Sequence, residues 1–311
     1  IYRVPANFDK EGLTDQLLCH FDLPSKKRDL KQWKKLAEKI SRIESSGRTI
    51  NIAVVGKYFE TGDHKLSDVY VSVIEALKHG GWANNSKVNL EWISSATIEK
   101  QGAKKTLAGF DGICVPGGFG SRGVEGIISA IEYARKQKIP YLGLCYGMQL
   151  ATIEFARNVC RLRTAHTTEV NKTARHPVIH IMPEQEKLLL NRDYGATMRL
   201  GAWDCVVARG TKTEKAYARA GWLKPKGAAK ISERHRHRYE FNNEYREKLE
   251  NAGLVISGTT PDGQLVEVIE LKDHPFFIAT QFHPEFKSRP LAPHPLFVEL
   301  IRTINKNHKA K

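Results

Sequence analysis

PYLGLCYGMQLATIEFARN, residues 140–158, is the stretch that decides the fold. Its first six residues, PYLGLC, form a short apolar run, as in a strand buried on both faces of a parallel sheet. Gly147 to Asn158 reads as a helix. Between them lies Gly143-Leu144-Cys145-Tyr146-Gly147, a G-x-C-x-G turn. The flanking glycines let a strand pass tightly into a helix with no Cβ in the way. Such an elbow lifts the Cys145 sulfur above the sheet, at a helix N-terminus whose dipole favours thiolate. It also makes the Tyr146 backbone N–H a natural oxyanion donor. Taken alone, the turn also suits an inert buried cysteine.

The surrounding chain repeats the strand-then-helix pattern. TINIAVVGKY (49–58), VNLEWI (88–93) and FDGICVPGGFG (110–120) read as strands. SDVYVSVIEALKHGG (67–81), with Ser67 as N-cap and Gly81 near its end, reads as an amphipathic helix, and so does Val124–Lys138. This alternation predicts a parallel sheet with helices on both faces. From about 176 the chain turns strand-rich, with HPVIHIM, TMRLGAWDCVVA, RHRYEFN, LVISGTT, QLVEVIEL and FFIATQF. The helices NNEYREKLENAG and PLFVELIRTINKN complete it. The expected fold is α/β and three-layered, a mostly parallel central sheet flanked by helices, with a strand-rich extension. At the N-terminal end, residues 1–24 read as an extended stretch followed by a short helix. Residues 26–44 read as a helix with Leu30, Trp33, Leu36, Ile40 and Ile43 on one face and basic residues on the other, ending in a linker at Ser45–Gly47.

A thiol nucleophile needs a base, and Gln281-Phe282-His283-Pro284-Glu285-Phe286 offers one at the end of the apolar run FFIAT. In an extended backbone His283 and Glu285 point to the same face, where the carboxylate can fix the imidazole tautomer. Together with Cys145 they make a candidate Cys–His–Glu triad. Pro116-Gly117-Gly118-Phe119-Gly120 also follows an apolar strand, so Gly118 can give a second oxyanion N–H. No G-K-[ST] follows it, which excludes a Walker loop, and no acidic partner completes a dinucleotide fingerprint.

These motifs, in this order, resemble the class I glutamine amidotransferases. GGFGSRGVEG (117–126), TTE (167–169), TMRLG (197–201), ERHRHRYE (233–240) and QFHPEF (281–286) narrow the resemblance to the glutaminase domains of the CTP synthases. The resemblance implies that Cys145 forms a glutamyl thioester, that His283 is general acid and base, and that Glu285 orients it. It implies oxyanion N–H groups from Gly118 and Tyr146, and glutamine contacts from Gly118, Phe119, Gln149, Glu169 and Arg238. Arg199, in TMRLG, and Arg122 fall at lid and effector positions. It further implies L-glutamine as substrate and ammonia delivery to a synthetase domain that uses ATP and Mg2+ on UTP. GTP activation, a homo-tetramer of the intact protein and a cytoplasmic setting are implied as well. No cofactor is expected in this chain. On this reading residues 1–24 are the tail of a synthetase domain, 25–47 an interdomain linker helix and 48–308 the amidotransferase domain. A chain beginning at Ile1 rather than Met fits a piece of a longer protein. Tyr146 replaces a usual Leu, His166 replaces a usual Asn, and residues 202–230 match poorly. The competing readings are a γ-glutamyl hydrolase or peptidase with the same triad, and a basic binding module.

The composition, 41% hydrophobic and 27% charged, excludes a disordered chain, a collagen and a membrane bundle. The net charge of +15 raises a nucleic-acid partner. Most of the excess sits in two stretches, however: eight basic against two acidic residues in 26–42, and seven against one in 209–230. Both lie away from the triad, so nucleic acid is not expected as a partner; nor is a membrane, because no apolar run nears the ~20 residues needed to span a bilayer. Five cysteines without regular spacing make no disulfide framework, and Cys114, Cys160 and Cys205 sit in apolar contexts expected to be core. His235 and His237 lack the companions a metal site needs, so no metal is expected.

Overall fold

Strand β1 (Arg48–Gly56) shows why the chain builds a covered sheet. Ile50, Ile52 and Val54 enter one core and Ala53 and Val55 the other. A strand apolar on both sides must lie inside a sheet covered on both faces. The computed structural model describes residues 1–25, 29–57, 60–61, 64–65, 70–181, 198–223 and 229–309. Helices α1 (Val4–Lys10), α2 (Leu13–His20) and α3 (Lys31–Ser46) precede β1. After it come a short hairpin, β2 (Glu60–Thr61) and β3 (His64–Lys65), then α4 (Val71–Ala83), β4 (Ser86–Ser94), α5 (Ser95–Gln101) and α6 (Ala103–Leu107). Next are β5 (Gly112–Val115), α7 (Val124–Gln137), β6 (Tyr141–Leu144) and α8 (Tyr146–Asn158). The second half holds β7 (Ala165–Thr167), β8 (His176–Ile181), β9 (Arg199–Val207), α9 (Lys212–Arg219), β10 (Lys230–His237) and β11 (Tyr239–Phe241). It ends with α10 (Arg246–Asn251), β12 (Leu254–Thr259), β13 (Val266–Leu271), β14 (Phe277–Thr280) and α11 (Pro295–Lys309).

Among the described residues the main sheet has nine strands, in the order β10-β9-β12-β13-β14-β6-β5-β1-β4. From β4 to β14 the neighbours are parallel. From β14 to β10 they are antiparallel. The strand-rich extension therefore continues the same sheet, which is mixed. One core packs α5, α7 and α8 against it, and the other packs α4, α9 and α11. Strands β11, β8 and β7 form a small second sheet beside α8.

Several expectations change. Residues 1–24 hold two short helices, with no extended stretch; Pro5 stands in the first turn of α1, where its missing N–H costs nothing. Helix α4 runs past Gly81 to Ala83. Gly81 is there for packing, because a Cβ would meet Val88 Cγ2 at 2.4 Å. The expected N-cap Ser67, with Met182 and Thr197, lies outside the described residues. Segment 236–242 is no single strand: β10 ends at His237 and β11 begins at Tyr239 in the other sheet, with Arg238 at the corner. Cys160 is half-buried, unlike the core residues Cys114 and Cys205. None of the described helices is long and apolar enough to cross a membrane.

Candidate active site

Three adjacent parallel strands end level with one another. Val115 of β5 pairs with Gly143 of β6, and Leu144 of β6 pairs with Thr280 of β14. Their continuations deliver the Gly117–Gly118 loop, Cys145 and His283 to the carboxyl edge of the sheet, where α/β folds bind ligands. Cys145 adopts φ 50° and ψ −96° between β6 and α8. The glycines around it are required: a Cβ on Gly143 would lie 2.9 Å from the Gly147 carbonyl oxygen, and one on Gly147 would lie 2.4 Å from that of Val115. The Cys145 N–H donates to the Thr280 carbonyl at 2.6 Å, which locks the elbow to β14. Gly118 packs against Tyr146, where a Cβ would stand 3.6 Å from the ring.

His283 stacks on Phe286, with ring planes 13° apart, and its Nδ1 lies 2.7 Å from Glu285 Oε1. A carboxylate acceptor there puts the neutral ring's proton on Nδ1 and leaves Nε2 basic. Burial opposes protonation of the ring, but the Glu285 carboxylate and the Cys145 sulfur outweigh it and hold His283 well above the ordinary histidine range. The site thus favours the imidazolium form of His283 beside the Cys145 sulfur. Gly117 also lets the pieces close up, since a Cβ there would lie 2.8 Å from His283 Cε1 and 3.7 Å from Cys145 Cβ.

A cavity of about 560 Å³ opens over this floor. Cys145, His283, Glu285, Gly118, Phe119, Gln149, Glu169 and Arg238 all line it, joined by Tyr70, Met198, Arg236, His237 and Tyr239. Glu169 accepts from the Gly120 N–H at 2.8 Å; burial raises its pKa, opposed by that bond and by Lys57 and Arg238. The cavity therefore offers a carboxylate and a guanidinium to one ligand. Phe119 is at the rim, 67% exposed.

Two expected residues are not part of this wall. Arg199 is buried, pairs with Glu267 at 2.7 Å and lies over the Trp203 ring. Arg122 is exposed on the loop before α7. Conversely, Lys57 and Gln281 belong to the site and were not read as such from the sequence. Lys57 donates to the carbonyls of Phe119 (3.2 Å) and Gly120 (2.5 Å) and to the Tyr146 hydroxyl (3.0 Å), so it holds the glycine loop. Burial brings its pKa down to about 8, with Glu169 pulling the other way. The usable signal was a lysine ending a buried strand at the sheet's carboxyl edge. Among the described residues no group of three or more His, Cys, Asp or Glu is placed to hold a metal.

Residues 65–303 match the family model of class I glutamine amidotransferases. The chain is 50% identical over 309 residues to the CTP synthase of Carboxydothermus hydrogenoformans, covering 99% of this chain and 54% of that protein. It is 49% identical over 304 residues to the CTP synthase of Caldanaerobacter subterraneus subsp. tengcongensis, covering 98% and 53%. Thus it spans about half the length of the curated relatives it matches. In structure it is similar to the glutaminase domain of Trypanosoma brucei CTPS with bound acivicin, with a TM-score of 0.72 and 38% identity, covering 83% of this chain and 94% of that one. With a family match across most of its length and a glutaminase domain as structural neighbour, the chain belongs to the class I glutamine amidotransferases, on the branch formed by the glutaminase domains of CTP synthases.

Proposed function

We propose that this chain hydrolyses L-glutamine through Cys145 and supplies the ammonia to a synthetase domain for the ATP-dependent amination of UTP to CTP. The observation that carries the reading is the Cys145–His283–Glu285 floor beneath a cavity holding both Glu169 and Arg238. A free amino acid is a zwitterion, so it needs one anionic and one cationic partner. Glu169 takes the α-ammonium, Arg238 the α-carboxylate as a planar fork, and Gln149 and Phe119 complete the pocket.

The Cys145 thiolate attacks the side-chain amide carbon, forming an S–C bond and moving an electron pair to the carbonyl oxygen. The backbone N–H groups of Gly118 and Tyr146 receive that oxyanion. Protonated His283 gives its Nε2 proton to the amide nitrogen; the C–N bond breaks and ammonia leaves, with a thioester behind. A water then loses a proton to His283 and attacks the thioester. Glutamate departs and the thiolate–imidazolium pair returns. Glu285 keeps the ring oriented throughout and stabilises its charged form.

The same reading assigns residues 1–24 to the tail of the synthetase domain, 25–47 to the linker and 48–308 to the amidotransferase domain. Its support is that α1 and α2 bury none of their residues, and that Trp33 of α3 bonds the Tyr2 carbonyl at 2.7 Å. ATP and Mg2+ would act in that other domain, GTP would activate through Arg199 and Arg122, and the intact protein would be a cytoplasmic homo-tetramer. Glutamine turnover, measured as glutamate release by this chain, tests the core of the proposal. Slow turnover that vanishes in Cys145→Ala is expected, because the synthetase domain and GTP are absent from the assay. Undiminished turnover in that variant would falsify it.

A further inference from the structure

Gln281 has no role in the mechanism above, yet its side chain touches the nucleophile. It is fully buried, and its Nε2 lies 3.6 Å from Cys145 Sγ, a hydrogen-bond length for an acceptor as large as sulfur. A relay of bonds sets which end of the amide faces the sulfur. Gln149 Nε2 donates to the Tyr239 carbonyl at 2.9 Å, and a backbone carbonyl can only accept. That end of Gln149 is therefore its NH2, whose other hydrogen is directed to Gln281 Oε1 at 3.5 Å. With its oxygen committed to Gln149, Gln281 turns its own NH2 to Cys145. The backbone holds the same register, since the Gln281 N–H donates to the Glu267 carbonyl at 2.8 Å.

A hydrogen bond to the charged form of a group favours that form, and an anionic acceptor binds its donor more strongly than a neutral one. We propose that Gln281 is a further catalytic residue, which donates through Nε2 to the Cys145 thiolate and aims it at the substrate, with Gln149 as the positioning residue that holds the amide in register. The proposal rests on the reading of Cys145 as nucleophile. Its contribution belongs to the resting enzyme: once the S–C bond forms, the charge moves to the carbonyl oxygen, and the bond to sulfur is regained when the thioester is hydrolysed. A variant lacking the donor should therefore lose rate at neutral pH and recover it at high pH, where the thiol ionises unaided.

The titratable and charged groups packed around the sulfur and its cavity are His283 and Glu285 after β14, Lys57 at the end of β1, Tyr70, Glu169, Arg236 and His237 at the end of β10, and Arg238 and Tyr239 after it. All are unchanged in Gln281→Met, which fills the space without a donor, and in Gln281→Glu, which keeps an acceptor for Gln149 but faces the sulfur with a carboxylate. The experiment is the pH–rate profile of iodoacetamide alkylation of the whole chain, read at the Cys145 and Cys19 peptides by mass spectrometry, with thermal melting as the check on folding. The Cys145 midpoint should rise by about one pH unit in Gln281→Met, roughly a tenfold loss of thiolate at any pH well below the wild-type midpoint, and further in Gln281→Glu. Superimposable profiles in a folded variant overturn the proposal while leaving Cys145 as nucleophile. If Gln281→Met does not fold, the Gln281→Glu profile decides alone. A wild-type Cys145 that alkylates no faster than exposed Cys19 overturns both readings.

Discussion

Cys145 pays for its exposure to the cavity with backbone strain. Its φ of 50° is one that L side chains rarely adopt, and such a residue costs on the order of 1–3 kcal/mol. Glycine has no Cβ to strain, so Cys145→Gly should be more stable than Cys145→Ala by about 1 kcal/mol, although both are inactive. Equal denaturant midpoints would show the elbow to be relaxed. Lys57 works at the same scale. Its ammonium fixes two carbonyls of the glycine loop, and Gly120 of that loop in turn donates to Glu169. Hydrogen bonds to a charged group contribute about 1.5–3 kcal/mol, so Lys57→Met should lower kcat/KM for glutamine roughly ten- to hundredfold with the fold intact. Steady-state kinetics check this; unchanged constants would mean that the loop holds itself.

Among the elements, α8 starts directly after the nucleophile. Its first turn lies flush on β5, with no space for a methyl group on Gly147. Gly147→Ala must lift the helix from the sheet, at a cost of about 1–3 kcal/mol, and should abolish turnover with the lost alignment. Gly210→Ala is the control: its φ of +80° is strained, but nothing lies within 4 Å of a Cβ there, so activity should survive. Melting and turnover of the two variants separate packing from backbone strain. These contacts also explain what could be read in advance. The runs at β1, β5 and β6 are apolar on both faces and unambiguous, and the elbow is a local pattern, so the parallel half and the turn at Cys145 were legible. Helix α9 was not, because its exposed basic face swamped the signal. Its start is nonetheless written in the chain: Thr211 caps the Glu214 N–H at 3.1 Å, the S/T-x-x-E pattern. Helix α1 misled because Ile1, Tyr2 and Val4 suggest an extended chain, whereas α2 is the short helix expected after it. Gln281 gains its role only from a contact across adjacent strands, and no local pattern records that. Arg199 shows the converse, a motif residue that the sheet buries against Glu267.

Across the whole molecule, the buried histidines set the response to acid. Burial lowers His235 to about 2, His237 to about 3, and His79 and His274 to about 4. All four are depressed below the unfolded value near 6.5, so the unfolded chain binds four protons that the folded chain refuses. Their stabilisation is complete above that pH and is lost as pH falls toward the folded values. Glu267 runs the other way. Burial outweighs Arg199 and raises it to about 7, so below that pH the folded state takes up a proton before the unfolded state does. His283, held above its ordinary range, is protonated in both states below about 6.5 and cancels there; its contribution fades only as pH rises through its folded pKa. Four protons against one leave a net uptake on unfolding that approaches three about a unit below the unfolded histidine value, near pH 5.5 to 5. That gives a slope of at most about 4 kcal/mol per pH unit, against a typical total stability of about 5–15 kcal/mol. Urea midpoints should therefore drop steeply from pH 6 to 5, and His235→Gln should flatten the slope by about one proton. A midpoint that holds steady over that range would mean that these histidines are hydrated in solution.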